Sequence, residues 1–420
     1  MNSNTLITPP LALYVHFPWC VRKCPYCDFN SYTLNGELAQ GPYVQRLMHD
    51  LAAQAPQVAG RAVRSIFLGG GTPSLFSPRA IGELLHAARQ ELTVAPDVEV
   101  TLEANPGAIE RGAFREYRAA GVTRVSLGAQ SFDAQRLTAL GRIHSPAETR
   151  RAAAELHAAG LGNFNLDLMY ALPGQDPQDA LADVAEALAL QPAHLSHYQL
   201  TLEPGTVFAA RPPPLPDEDA AATMLEACAE ALAAHGFTQY EVSAYARAGR
   251  QCRHNLNYWT FGDYLGIGAG AHGKLTFADT GEIVRTVQPR EPRRYLASAD
   301  PGPTQRAVPK SELPFEFMLN ALRLSEGFAA ATFGERTGLG WQEIAAPVEA
   351  ALARGLLLAT PTGYRPSALG ARFLNDLLLE FMPECAQMPA ASALSIAGSG
   401  RRTGHPRPLF TAQGAISENE

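Results

Sequence analysis

Between residues 11 and 201 the chain alternates six short β-like runs with amphipathic helical stretches, and this repeat constrains the fold most. The runs are LALYVHF (11–17), VRSIFLG (63–69), VEVTLEA (98–104), TRVSLGAQ (123–130), NFNLDLMY (163–170) and HLSHYQLT (194–201). They are rich in Val, Ile, Leu, Phe and Tyr, as strands favour. Helix-period segments such as PRAIGELLHAARQEL and DPQDALADVAEALAL separate them. Pro42, Pro78, Pro146 and Pro177 lie near helix starts, where a missing N–H costs nothing. Gly121 and Gly160 follow helices, as a left-handed cap requires. Strand–helix alternation predicts an α/β fold with a parallel sheet. Six repeats fall short of a closed eight-fold barrel, so an open, partial (β/α)6 TIM-like barrel is expected. In such folds chemistry gathers at the carboxyl ends of the strands.

After residue ~205 the repeat loosens. A helix over 218–234 leads into TQYEVSAY and the Gly- and aromatic-rich stretch RHNLNYWTFGDYLGIGAGAHG. Four parts are expected: an N-terminal tail (1–10), the barrel with its extension (11–298), a small C-terminal helical, winged-helix-like domain (311–383) and a disordered tail (384–420) rich in Ala, Ser, Gly and Pro. ADPGPTQRAVPK (299–310) reads as a linker. LLLATPTGYRPSALG carries the hairpin of the C-terminal domain.

The net charge of −7 gives no reason to expect nucleic-acid binding. No stretch approaches the roughly 20 apolar residues of a membrane span, so no membrane insertion is expected. The start, MNSNTLITPP, lacks the pattern of a secretory signal, and a cytoplasmic location is expected. Six cysteines are present; Cys20, Cys24 and Cys27 fall within eight residues. That distribution suits a metal site in a reducing compartment better than a disulfide framework.

The cysteines directly follow the first run, where a barrel places its chemistry. A structural zinc site takes four ligands, usually as two separated pairs, and no second pair stands at suitable spacing. Three thiolates on one loop suit an iron–sulfur cluster with one open iron. Other polar groups stand at successive strand ends: FLGGGTPS after the second run, Glu103 in LEANP, Gln130 in SLGAQSF, Arg142 in GRIHS. Asp167 lies inside an apolar run and needs a partner, because unpaired burial costs several kcal/mol. A ribose hydroxyl or Arg142 is the expected partner. Read in chain order, this set fits a bound cofactor.

YVHFPWCVRKCPYCDF resembles the radical S-adenosylmethionine superfamily and, within it, the oxygen-independent coproporphyrinogen III oxidase-like family; the likeness runs from about Tyr14 to Phe381. The resemblance implies a radical SAM barrel with a [4Fe–4S] cluster on Cys20, Cys24 and Cys27. It implies that the open iron binds S-adenosylmethionine, and that an electron from the cluster cleaves it to a 5′-deoxyadenosyl radical. It further implies that Gly70, Gly71 and Thr72 hold the methionine portion. Glu103, Gln130, Arg142 and Asp167, with Tyr14 and Tyr26 beside the cluster, are implied to contact the same cofactor. The C-terminal domain is expected to cover the barrel mouth or hold a partner.

Two subgroups share these motifs: the oxidases and the HemW haem chaperones. The oxidases carry C-x3-C-x2-C-x-C and a long arm before the first strand; here the last position is Phe29, and only ~10 residues precede the strand. CRHNLNYW (252–259) matches the H-N-x-x-Y-W signature of the chaperones. Haem is therefore an expected ligand, with acceptor proteins and an electron donor as expected partners. His254 is a candidate axial ligand, and Tyr258 and Trp259 are candidates for porphyrin contact. The same residues also suit a packed, hydrogen-bonded loop. His16 is expected to orient cluster or cofactor.

Anaerobic reconstitution should give about four irons and four sulfides per chain. Changing any of the three cysteines to Ala should abolish the cluster; intact iron and sulfide content in all three variants would remove the assignment.

Overall fold

The structure, a computed structural model, describes residues 5–107, 113–298 and 302–382. The six strands stand where the alternation places them: β1 (Leu11–Phe17), β2 (Val63–Gly70), β3 (Val94–Ala104), β4 (Arg124–Gln130), β5 (Phe164–Tyr170) and β6 (His194–Gln199). They pair in chain order, all parallel. The helices α1 (Gln40–Gln54), α2 (Pro78–Glu91), α3 (Phe114–Ala120), α4 (Ala134–Ala139), α5 (Pro146–Ala158) and α6 (Pro177–Ala189) form the crossovers. Pro78, Pro146 and Pro177 open their helices, and Ser145 and Asp176 complete capping boxes. Gly121 takes the left-handed conformation at the end of α3.

The sheet is wider than six strands. Beyond β6 lie β7 (Thr238–Glu241) and β8 (Ala244–Ala246). Beyond β1 lie β9 (Asp263–Ile267), β10 (His272–Phe277), β11 (Glu282–Val287) and β12 (Thr304–Ala307). The order is β12-β11-β10-β9-β1-β2-β3-β4-β5-β6-β8-β7. β9 is a seventh parallel strand, paired with β1. It is short and runs into a Gly-rich stretch, so it does not read as a strand, yet its one glycine, Gly266, is required there, because a Cβ would overlap the His272 carbonyl. The expected linker at 299–310 also changes: its later part forms edge strand β12.

Strand residues alternate between two faces. One set, including Val15, Leu68, Leu102, Leu127 and Leu166, is fully buried with the helices in the main core. The other set faces the concave side and is largely polar: Tyr14 and His16, Ser65, Thr101 and Glu103, Ser126, Asn165 and Asp167, Ser196 and Tyr198. Among the helices that follow are α7 (Glu218–Ala234) and α8 (Arg253–Trp259). α8 carries the HNLNYW residues and packs on β2 and β1. It is tied to β3 by Arg253, whose backbone N–H donates to Glu99 Oε1 at 2.9 Å and whose guanidinium reaches Asp97.

The C-terminal segment opens with α9 (Leu313–Ala321) and has a core around Phe317, Phe333, Ile344 and Leu377. The expected hairpin is present, Leu357–Ala359 with Gly363–Pro366. This core also takes in Leu6, Phe261 and Ile283 from the rest of the chain. Leu6 is therefore buried rather than part of a loose tail, and Ile7 N–H donates to the Glu335 carbonyl at 2.8 Å. Arg285 on β11 grips Glu316 of α9 at 2.6 Å, and Glu241 at the other sheet edge pairs with Arg323 at 3.4 Å. The Leu6 and Phe261 contacts lie at the amino ends of the parallel strands, before β1 and before β9, whereas Glu241 stands level with the middle of β6. The C-terminal segment thus closes the floor of the open barrel and does not cover its mouth. The expected tail at 384–420, with Cys385, lies outside the described residues.

Phe317 is fully buried against Phe261, Phe328 and Phe333. Phe317→Ala should lower the unfolding free energy by about 3–5 kcal/mol, read as an earlier denaturant midpoint. Because the same core includes barrel residues, barrel and C-terminal segment should unfold in one transition; two separated transitions would contradict the shared core.

Candidate functional site

The cysteine loop leaves β1 at Phe17 and lies flush on the end of β2. Gly71 N–H donates to the Phe17 carbonyl at 2.6 Å, and Thr72 N–H to the Trp19 carbonyl at 2.8 Å. Gly70 has φ +110°, and a Cβ on it would overlap the His16 ring; a Cβ on Gly71 would stand 2.6 Å from the Trp19 carbonyl oxygen. Only glycine fits at both. The N–H groups of Gly70, Gly71 and Thr72 are all used within the chain, the first on Glu103 Oε2 at 2.9 Å. What the run offers a ligand is its carbonyl edge and the Thr72 side chain.

Cys20, Cys24 and Cys27 are half-buried and in no disulfide. Each sulfur meets a donor. Ser31 Oγ stands 3.7 Å from Cys27 Sγ, Arg142 Nη1 stands 3.6 Å from Cys24 Sγ, and the Thr72 hydroxyl faces Cys20. Burial pushes the Cys20 thiol up to about 11 and the Cys27 thiol upward, with the Thr72 and Ser31 hydroxyls pulling back. Metal binding must displace those protons. Among the described residues, no three His, Cys, Asp or Glu side chains converge on a point that one metal ion could occupy. A lone zinc needs all its sulfurs about 2.3 Å from one centre. In a [4Fe–4S] cluster each thiolate takes a different iron, so the ligands stand apart. The three thiols with their donors fit the cluster.

The strand-end residues contact the cysteine loop, the glycine run or one another. Glu103 accepts from Gly70 N–H, and burial, then the Asp167 charge, pushes its carboxyl up to about 8. Asp167 is held by Asn165 Nδ2 at 2.8 Å and Ser126 Oγ at 3.1 Å; burial raises its carboxyl while those bonds pull it down. The expected partner Arg142 is turned elsewhere, to Cys24, to the Gly128 carbonyl at 2.9 Å and to Asn105. Burial works against its charge, but Tyr26 and Cys24 hold the guanidinium ionised. Gln130 is a non-glycine residue at φ +65°, and its Oε1 accepts from the Tyr198 hydroxyl at 3.0 Å. Tyr26 packs near Phe208, and Tyr14 donates its hydroxyl to His16 Nδ1 at 3.0 Å. Sequence reading missed Asn105, whose Nδ2 donates to Thr72 Oγ1 at 3.0 Å while its Oδ1 takes Arg142. Its Asn-Pro position after a strand was the available signal.

His254, Tyr258 and Trp259 stand apart from the cysteines. His254 is 2% exposed, stacks on Phe67 at 4.9 Å, and has both ring nitrogens engaged: Nδ1 with Ser65 Oγ at 3.2 Å and Nε2 with the Tyr258 hydroxyl at 3.0 Å. Burial, then Arg124, lowers its pKa to about 3, so it is neutral. An axial ligand needs a free lone pair; the geometry matches the packed arrangement. Trp259 is buried under the Arg323 guanidinium at 4.3 Å, and Tyr258 packs edge-on against Tyr264. His16 donates Nε2–H to the Asn30 carbonyl at 2.9 Å, which leaves Nδ1 to accept from Tyr14.

Residues 14–187 match the radical SAM superfamily and residues 308–373 the HemN C-terminal domain. The chain is 49% identical over 381 residues to the heme chaperone HemW of Escherichia coli, covering 90% of this chain and 99% of that protein. The chain belongs to the HemW family. The Mycobacterium tuberculosis heme chaperone HemW is 37% identical over 83% of this chain and 88% of its own length. A mouse relative, radical S-adenosyl methionine domain-containing protein 1, mitochondrial, is 38% identical over 89% and 87%. The solved coproporphyrinogen III oxidase (HemN) of E. coli superposes with a TM-score of 0.75 at 21% identity, covering 89% of this chain and 90% of that one. That likeness shows the fold. The radical SAM family implies a [4Fe–4S] cluster and S-adenosylmethionine.

Glu103 yields a pH test on the HemW-family apoprotein. Its folded pKa of about 8 exceeds the ordinary carboxyl value. The folded state therefore keeps a proton that the unfolded chain releases, and stability falls as pH rises from about 5 to about 8. Glu103→Gln should remove that fall, so its melting advantage over the parent widens across that range; a constant gap would place the charge outside the closed opening.

Proposed function

We propose that this chain binds haem and transfers it to acceptor proteins, with a [4Fe–4S] cluster on Cys20, Cys24 and Cys27 and S-adenosylmethionine bound at the barrel mouth. The observation that carries the reading is the near full-length identity to a heme chaperone HemW, joined to Phe29 where the oxidases have a further cysteine. Five described cysteines are unpaired, which supports a reducing cytoplasm as its site of action.

The chain's own residues divide the work at the mouth. The Glu103 carboxylate suits the cofactor's ammonium, since a cation beside it would return its raised pKa toward the normal range. Asp167, already oriented by Asn165 and Ser126, has lone pairs left for ribose hydroxyls. Arg142 holds one face of the opening by bridging Cys24, Gly128 and Asn105. Tyr26 and Gln130 border the same opening. When bound, the cluster supplies a single electron to the cofactor's sulfonium centre.

Haem contact by Tyr258 and Trp259, and ligation by His254, require α8 to open. In the closed arrangement His254 would first have to surrender Ser65 or Tyr258.

The purified protein should show haem binding by titration of its visible absorption and should leave coproporphyrinogen III unconverted under reducing, anaerobic conditions. Product formation would replace this reading with oxidative decarboxylation. His254→Ala should lower the melting temperature and leave the haem spectrum intact; an altered spectrum at unchanged melting temperature would make His254 the ligand.

A further inference from the structure

We propose that Asn30 is the positioning residue of the cysteine loop, latching its exit to the part of the sheet outside the radical SAM segment. This rests on the cluster reading above. Asn30 lies three residues after Cys27. Its Nδ2 donates one hydrogen to the Ala269 carbonyl at 3.0 Å and the other to the Arg290 carbonyl at 2.9 Å. Its Oδ1 accepts from Tyr32 at 3.1 Å, and its backbone carbonyl accepts from His16 Nε2 at 2.9 Å. The amide has two donors and one acceptor, and all are used. Ala269 and Arg290 lie well beyond residues 14–187, which match the radical SAM superfamily.

The receiving side is built for this contact. Gly270 has φ +78°, and a Cβ there would overlap the Asn30 amide nitrogen. Gly270 N–H donates to the Pro289 carbonyl, which joins the two acceptor segments. Gly268 N–H is held by Asp50, a fully buried carboxylate that Gln54, Gln288 and Tyr295 also engage. A second arm runs from Ala269 N–H to the Tyr43 hydroxyl, which donates to the His16 carbonyl. The turn after β9 is therefore rigid before it meets the loop.

The consequence for the cluster runs through Ser31. Its hydroxyl stands 3.7 Å from Cys27 Sγ, and its backbone follows directly from Asn30. Hydrogen bonds to ligand sulfurs tune a cluster, and groups that orient ligands govern how firmly the metal is held. Loss of Asn30 removes the tie to the Ala269 and Arg290 carbonyls and leaves Ser31 and the Cys27 end of the loop held locally, by Lys23 on the Phe29 and Ser31 carbonyls and by the Ser31 N–H on the Phe29 carbonyl.

The test uses the reconstituted full chain. Asn30→Ala and Asn30→Asp both lack the donors; Gly270→Ala pushes on the latch from the other side; Tyr32→Phe removes the contact to Asn30 Oδ1 and a longer one to the Arg290 carbonyl at 3.4 Å, and keeps both Nδ2 donations. Iron loss to a chelator should be about tenfold or more faster in the first three and near the parent in Tyr32→Phe. The electron paramagnetic resonance spectrum of the reduced cluster should change in the same three. Parental iron loss and spectrum in Asn30→Ala and Gly270→Ala would overturn the proposal, even with a lowered melting temperature, because the contact would then serve folding alone. If Asn30→Ala does not fold, Gly270→Ala decides by the same two measurements. A parent chain that takes up no iron would instead remove the cluster reading.

Discussion

The close approach of the end of β2 to the cysteine loop organises the whole mouth of the barrel. Backbone meets backbone there, with the Phe17 and Trp19 carbonyls taking the N–H groups of Gly71 and Thr72. No side chain fits between them, so the glycine run is a spacing requirement before it is a ligand feature. The same approach brings the Thr72 hydroxyl to Cys20 and places Glu103 on Gly70. Asn105, joining Thr72 to Arg142, carries that order across to Cys24.

Below the mouth, the concave side of the sheet is lined with buried and half-buried polar groups. Many of them are tolerated because they hydrogen-bond one another. Asp167 has Asn165 and Ser126; His194 joins Asn165 to Tyr240; Glu99 takes Cys252 and Arg253. α8 completes this lining, and the C-terminal segment seals it through the buried pairs at both sheet edges. The open barrel is thereby closed at its floor and left accessible where the cysteines stand. β9 runs directly from the end of α8 toward the turn that holds Asn30, so one stretch of chain joins floor and mouth.

Much of the site was legible because it is local. Cys20, Cys24 and Cys27 lie within one loop, and the strand-end polar groups follow a period that the fold class explains. Other features were hidden because they join distant positions. Nothing near Asp167 in sequence says that Ser126 rather than Arg142 holds it. Nothing near His254 says that Ser65 and Tyr258 occupy both its nitrogens. β9 escaped notice because it is short and its one glycine, Gly266, answers to β10, not to its own propensity.

The sequence by itself determined the six-fold strand–helix alternation, the three-cysteine loop after the first strand, and the departure from the oxidases at Phe29. Each depends on residues close in the chain, where periodicity and spacing express the physics directly. The tertiary structure decided that the C-terminal segment covers the floor, that the HNLNYW residues form a buried helix, and that Asn30 grips carbonyls some 240 residues or more away. Those outcomes depend on desolvation and hydrogen-bond satisfaction between remote segments, which become fixed only when the chain packs.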